Sequence, residues 1–405
     1  MSIVEQQTAR KAGDIFAKCG RYTAAREMIG RGLYPYFQPI ESSEDTEVVI
    51  RGERKIMVGS NNYLGLTHHP YVLEKAREAL FRYGTGCTGS RFLNGTLDLH
   101  VELEERLAEL MGTESALVFS TGYQTNLGVI STLVGRGDHL FLDKLNHASI
   151  VDGASLVYGT VHRYAHGDLR ALERQLQAVP EKAHKLVVTD GVFSMEGDIA
   201  DLPAIAELAR RYDAELMVDD AHSIGVLGVD GAGTASHFGM TDQVLLTMGT
   251  FSKSFASIGG FVAGPEPILH YLRHHARALI FSASMPPASV ATVLAALEVM
   301  RREPERRENL WRVTRRMQEG LKGLGFDIGG SETPVIPVVI GEMDDTFAMW
   351  RALFDAGVFT NPVMPPAVPE SQCRLRISMM ATHTDEHVDA VLEAFATIGR
   401  AIAVI

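Results

Sequence analysis

Val244-Leu245-Leu246-Thr247-Met248-Gly249-Thr250-Phe251-Ser252-Lys253-Ser254 opens as an apolar run and closes on a lysine among small and hydroxylated residues. The run is short and shows no polar face, so it reads as a strand buried on both sides. Four similar runs precede it, at 116–119, 139–142, 185–188 and 215–218. Helical stretches, such as 169–179 and 204–212, separate most of them. Strands apolar on both faces and joined by helices build a mainly parallel sheet between helix layers, an α/β fold. Ligands of such sheets gather at the carboxyl ends of the strands, so the residues just after each run are where chemistry is expected.

Outward from this centre, the first 40 residues mix charged and apolar positions and read as an arm. A small β region follows at 47–50 and 55–58, with Arg51-Gly52-Glu53 at its turn. Amphipathic helices are expected at 71–83 and 99–111. Past residue 265 the pattern turns helical (268–279, 288–302, 310–324). A smaller α+β unit closes the chain, with strands at 335–340 and 374–378 and helices at 346–356 and from about 385. This divides the chain into an arm with a small β region (1–58), a large domain (59–290) and a C-terminal α+β domain (291–405).

The 405 residues carry 38 Lys+Arg against 50 Asp+Glu, a net charge of −12, which argues against a nucleic-acid groove. Hydrophobic residues at 46% and charged residues at 22% exclude wholesale disorder. The cysteines Cys19, Cys87 and Cys373 include no CxxC pair. Neither a disulfide framework nor a zinc knuckle follows, and a cytoplasmic location is expected. Residues 1–7 lack the basic start and apolar block of an export signal. No run approaches the 18 apolar residues of a membrane span, although peripheral contact with a membrane stays compatible with the sequence.

Several strand-end residues could carry chemistry. Lys253 suits an amine whose pKa burial lowers toward Schiff-base reactivity, and equally a phosphate-binding lysine. Asp219, Asp220 and His222 follow the run at 215–218, where a carboxylate can hold a positive charge on a bound ring or cap the next loop. No further ligand cluster makes the two acids a metal site. His147 follows the run at 139–142 as a catalyst or a capping residue. Ser120-Thr121-Gly122-Tyr123 precedes a helix and suits a phosphate cradle. Arg374 and Arg376 lie on the late strand, read as one pointing at a carboxylate and the other outward. His162 and His166 are weak metal candidates, because the residues between them do not read as helix. Taken in order, a phosphate cradle, a ring-stacking histidine, a ring-nitrogen carboxylate, a Schiff-base lysine and a carboxylate-binding arginine suit one ligand, pyridoxal phosphate carrying an amino acid.

Four segments resemble the α-oxoamine synthases: 249–254 (Gly-Thr-Phe-Ser-Lys-Ser), 218–223 (Val-Asp-Asp-Ala-His-Ser), 61–66 (Asn-Asn-Tyr-Leu-Gly-Leu) and 89–96 (Gly-Ser-Arg-Phe-Leu-Asn-Gly-Thr). These are fold-type I pyridoxal-phosphate transferases that condense an amino acid with an acyl-CoA and release CO₂. The resemblance runs from about residue 45 to the C-terminus. Gly259-Gly260-Phe261-Val262, the segment 281–287 and Gly399-Arg400-Ala401 are most similar to the soluble bacterial branch that acylates L-serine with palmitoyl-CoA. The activity so implied yields 3-ketodihydrosphingosine, CoA and CO₂, the first step of sphingolipid synthesis. Branches using glycine or alanine are the alternatives: glycine C-acetyltransferase, 8-amino-7-oxononanoate synthase or a secondary-metabolite synthase. An aminotransferase is a reading from another class. A silent partner subunit is a further one, against which Lys253 argues.

The resemblance also implies roles. Lys253 bonds the cofactor aldehyde and later moves the Cα proton, Asp219 pairs with the ring nitrogen, His222 reaches the ring hydroxyl and His147 stacks on the ring. Gly122, Tyr123, Ser194, Thr250 and Ser252 surround the phosphate or its neighbourhood. Ser282 and Ser284 approach the phosphate of a second subunit, making the site a property of a homodimer. Asn61 and Arg376 receive the amino-acid carboxylate, and Ala367 lies on the substrate side. Two other branches carry an arginine just before a Pro-Pro pair, where this chain has Met364. Carboxylate binding is then expected to lean on Arg376, with Met364 free to line an acyl or side-chain path.

Overall fold

The computed structural model describes residues 15–405, so the reading of residues 1–7 and the first part of the arm lie outside the described residues. Two short helices, Ala17–Arg21 and Ala24–Gly30, lead into strands β1 (Ser42–Glu44), β2 (Glu47–Ile50) and β3 (Glu53–Met57). The turn between β2 and β3 is Arg51-Gly52, both at positive φ. The large unit then lays down β4 (Ser115–Phe119), β5 (His139–Asp143), β6 (Thr160–Tyr164), β7 (Lys185–Asp190), β8 (Glu215–Asp219), β9 (Leu246–Thr250) and β10 (Gly260–Gly264). Their order in the sheet is β4-β10-β9-β8-β7-β5-β6.

Five of these strands were expected from apolar runs. The sixth, β6, is an edge strand with one partner. The seventh, β10, departs from the pattern because it runs antiparallel to both β4 and β9. The sheet is therefore mixed, with all other neighbouring strands parallel. Every residue of β7, β9 and β10 is buried, as a sheet covered on both faces requires. The covering helices bury one stripe each, Leu172 and Leu176 from Leu169–Ala178, and Leu202, Ile205, Leu208 and neighbouring alanines from Leu202–Arg211. Each such large side chain contributes roughly 1.5–3 kcal/mol by leaving water.

The expected helix at 268–279 is two, Glu266–His275 and Arg277–Ile280, broken at Ala276, which takes an extended conformation. Helix Pro287–Arg302 runs straight through residue 290 and packs on helix Pro70–Tyr83 of the large unit. Beyond it, helix Glu305–Leu324 leads to β11 (Val335–Gly341), helix Met343–Asp355, β12 (Val358–Phe359), β13 (Asn361–Val363), β14 (Cys373–Ser378) and helix Asp385–Ala401. β11, β14 and β13 form an antiparallel sheet, while β12 joins β3 in parallel. One apolar core holds Val48, Ile50 and Met57 together with Leu353, Trp350, Leu375 and Phe395. The small β region near the start thus folds against the C-terminal unit, a pairing that local pattern does not announce. No helix among the described residues is long and apolar enough to cross a membrane.

Candidate active site

Register brings the strand ends together. Asp190 at the end of β7 stands opposite Asp219 at the end of β8, and Asp219 stands opposite Met248 of β9. Lys253 follows five residues later in a loop held at both ends. Phe251 N–H donates to the Gly259 carbonyl at 2.9 Å, and Ser254 Oγ donates to the Ile224 carbonyl at 2.7 Å. Gly259 is at φ 129, and a Cβ there would lie 2.4 Å from Met285 Sδ, so this turn admits no side chain. Burial brings the Lys253 amine down to about 8, with Asp219 opposing the fall and Arg376 assisting it. An amine in that range is available as a base or nucleophile near neutral pH.

Asp219 and Asp220 divide the two readings of the acid pair between them. Asp219 Oδ2 accepts from Asn126 Nδ2 at 2.7 Å and Oδ1 from Ala221 N–H at 3.0 Å, which orients its carboxylate beside Lys253. Asp220 turns away and holds Thr234 through its hydroxyl at 2.6 Å and its N–H at 2.9 Å. Burial raises Asp220 to about 6 against those hydrogen bonds. One acid faces the site and the other ties down a loop.

His147 caps helix Ala148–Ser155, its Nδ1 2.8 Å from Ser149 Oγ, and its N–H donates to Asp190 Oδ2 at 2.8 Å. Burial lowers the His147 imidazole. Burial first, then the charge of Asp219, pushes Asp190 well above the usual carboxylate range. His222 Nδ1 lies 2.6 Å from the Tyr63 hydroxyl. Burial lifts Tyr63 to about 12 and drops His222 well below its ordinary value, so the pair is a phenol and a neutral imidazole. The Tyr63 hydroxyl has a second neighbour in Asn61 Oδ1, at 3.4 Å. The two rings share one hydrogen bond, which fixes the His222 ring with Nδ1 on Tyr63 and leaves Nε2 free for a further partner.

The phosphate-side residues also converge. Gly122 and Tyr123 open helix Gly122–Leu133, whose first N–H groups have no intrahelical partner. A Cβ on Gly122 would lie 2.6 Å from Thr250 Oγ1, so the helix start is pressed against β9. Thr250 Oγ1 is in turn 3.0 Å from Ser252 Oγ. Ser282 Oγ accepts from Gln124 Nε2 at 3.0 Å within the same chain, while Ser284 Oγ is buried without a partner. The Ser194 carbonyl accepts from Arg376 Nε at 2.5 Å.

Arg376 is 5% exposed on β14, and its other nitrogens reach Ser378 Oγ and Asn61 Oδ1, both at 3.0 Å. The expectation that Arg374 and Arg376 face opposite ways is corrected. Residues two apart on a strand share a face, and both grip one loop, Arg374 through the Met195 carbonyl at 3.1 Å and Glu196 at 3.4 Å. Met364 is 8% exposed and clusters with Phe347 and Cys373, with Met28 and Leu33 of the arm packed against that cluster. Ala367 is exposed after the Pro365-Pro366 pair. His162 and His166 are not brought together as a ligand pair. His162 stacks on Phe141 at 4.6 Å, and His166 meets two carboxylates. Asn126, Asp190 and Tyr63 join the site through these contacts. Asn126 lies one helical turn past Gly122 and Asp190 ends an apolar run, which are the signals that mark them.

The residues fit a phosphorylated pyridine aldehyde. A glycine-lined helix start, an amine brought down toward neutrality and an oriented buried carboxylate are the donor set it needs.

The family model for class I and II aminotransferases matches residues 53–395, and the chain belongs to that family. The serine palmitoyltransferase of Sphingobacterium spiritivorum is 53% identical over 94% of this chain and 96% of its own length. The 8-amino-7-oxononanoate synthase of Geobacter sulfurreducens is 44% identical over 93% and 96%. A high-resolution structure of serine palmitoyltransferase with its pyridoxal phosphate superposes with a TM-score of 0.94, covering 97% of this chain and all of that one at 39% identity. The architecture is that of the fold-type I transferases.

Proposed function

We propose that this chain condenses L-serine with a long-chain acyl-CoA, palmitoyl-CoA, to give 3-ketodihydrosphingosine, CoA and CO₂, using pyridoxal 5′-phosphate. The observation that carries the reading is the 53% identity, end to end, with a serine palmitoyltransferase. The synthase that makes 8-amino-7-oxononanoate is a more distant match at 44%. Bound pyridoxal phosphate supplies a cationic ring that accepts the electron pair left at Cα.

In this reading the chain's own residues bind, orient and move protons. Lys253 holds the cofactor and takes the Cα proton, a task for which an amine near 8 is suited. Asp219, fixed by Asn126 and Ala221, keeps a proton on the ring nitrogen. His222, hydrogen-bonded to Tyr63 at Nδ1, would meet the ring hydroxyl through Nε2, and His147 would lie against the ring face. Gly122, Tyr123, Thr250 and Ser252 receive the phosphate, with Ser194 beside the substrate arginine. Arg376 and Asn61 receive the serine carboxylate, and Ala367 flanks the substrate entrance.

The same reading makes the protein a cytoplasmic homodimer with shared sites, in which the segment of Ser282 and Ser284 approaches the partner's phosphate, Ser282 being the more accessible of the two because Ser284 Oγ is buried in its own chain. Phe92, Leu93 and Phe281 support it. They are 49%, 78% and 73% exposed on segments joined by the Ser90–Ala283 bridge, an apolar face that a second copy would cover.

Incubation of the cofactor-loaded protein with L-serine and palmitoyl-CoA should release CoA thiol. Release with glycine or alanine but not with serine would falsify the serine assignment and keep the family.

A further inference from the structure

His166, in the turn after β6, lies between carboxylates from two separate segments. Its Nδ1 is 3.1 Å from Asp143 Oδ2 at the end of β5, and its Nε2 is 3.0 Å from Asp198 Oδ2 in the loop after β7. A neutral imidazole has one N–H and would turn a lone pair on one of these acids, whereas an imidazolium donates to both. The two hydrogen bonds lift the group to about 10, burial opposing them. The edge-on ring of Phe193, 4.3 Å away, closes one side, and Glu196 is the other carboxylate whose charge the ring senses.

Each end of this bridge holds part of the site. Asp143 accepts from Leu145 N–H at 2.8 Å and Gly167 N–H at 3.1 Å, shaping the turn that leads to His147. Asp198 closes a tight turn, its carbonyl accepting from Phe193 N–H at 3.1 Å while Gly197 N–H donates to the Phe193 carbonyl at 2.8 Å. Inside that turn are the Ser194 and Met195 carbonyls that hold Arg376 and Arg374. Its far side is pinned by Thr333 Oγ1 on the Gly197 carbonyl at 2.9 Å. The turn is thus slung between His166 and the C-terminal unit. The Ser194 carbonyl is one of three groups on the Arg376 guanidinium, beside Ser378 Oγ and Asn61 Oδ1.

We propose that His166 is a positioning residue for the amino-acid carboxylate: by donating from both ring nitrogens it fixes the turn of residues 193–198 and, through the Ser194 carbonyl, the guanidinium of Arg376. The inference rests on the reading that Arg376 receives that carboxylate.

Steady-state kinetics of the holoenzyme separate this from a merely structural role. His166→Gln keeps one donor and loses the charge. It should raise KM for serine on the order of tenfold or more, since a misplaced contact remote from the chemistry is costly, with KM for the acyl-CoA and the cofactor absorbance unchanged. His166→Arg, which offers donors to both acids, should recover most of the loss. A serine KM in His166→Gln equal to that of wild type overturns the inference. So does a loss that His166→Arg leaves unrecovered while the acyl-CoA KM rises in step. Should the variants not fold, the nitrogen NMR signals of the wild-type ring decide. Both nitrogens protonated at pH 8 support the bridge, and a neutral ring overturns it. Wild-type protein inert with serine overturns the serine reading instead, and the amino acid that does react takes its place in the KM comparison.

Discussion

The lysine side and the arginine side of the site are built differently. Lys253, Asp219 and His147 each follow an apolar strand by a few residues, so a local pattern sets their place, and the sheet does the rest. Arg376 finds Asn61 across 315 residues of sequence and Ser194 across 182, and both contacts depend on the C-terminal unit docking on the large one. The lysine side is held by a sheet in which β7, β8 and β9 are buried almost throughout. The arginine side stands on β14, itself buried throughout, but its guanidinium is placed by hydrogen bonds to Ser194 and Asn61, which come from segments far away in the chain. Chemistry on the cofactor therefore sits on the rigid half, and substrate recognition sits on the half that a docking change or a loop substitution can move.

Substitutions should expose that division. Lys253→Ala removes the proton carrier and should lower turnover on the order of 10²–10⁴-fold, measured by thiol release, with the fold intact by circular dichroism. A smaller effect tests the same amine without its cofactor. The fold brings Lys253 from 10.5 down to about 8, so the unfolded chain binds its proton more tightly, and stability from this group rises as pH climbs from about 8 to 10.5. Lys253→Met apoprotein should then be more stable than wild-type apoprotein at neutral pH by a few kcal/mol, each unit being about 1.4 kcal/mol. Denaturant melts should show that gap closing across the same interval, and a gap that widens would place the amine elsewhere.

On the arginine side, Arg376→Lys exchanges a three-way fork for a point charge. Losing a charge-assisted hydrogen bond, about 1.5–3 kcal/mol, should raise the serine KM on the order of ten- to a hundredfold. The visible absorbance of the cofactor should stay as in wild type, and its loss would mean that the two halves are not separable. Tyr63→Phe removes one neutral hydrogen bond to His222, about 0.5–1.5 kcal/mol. It should weaken cofactor binding by roughly two- to tenfold, read by equilibrium titration. A drop as large as that of Lys253→Ala would give Tyr63 a direct part in the chemistry.

What the sequence discloses follows the same line. Short apolar runs reveal β4, β5, β7, β8 and β9 because a strand buried on both faces needs no partner to be recognised. β10 hides because two of its five residues are glycine and its direction is set by register with β4 and β9. The shared face of Arg374 and Arg376 follows from the two-residue period of a strand, yet the loop they grip lies about 180 residues away. The arm packs against the Met364 cluster, a docking that no periodicity reveals. His166 looks like a stray histidine until its acids, 23 and 32 residues away, are brought alongside.

The visible spectrum of the purified protein supplied with pyridoxal phosphate, recorded before and after each amino acid, shows whether Lys253 holds the cofactor and which amino acid takes its place. The protein should be coloured, with a band that L-serine displaces, and a Lys253→Ala variant should lack the wild-type band. A colourless wild-type protein, or a band that serine leaves in place while glycine or alanine moves it, would contradict the proposed function.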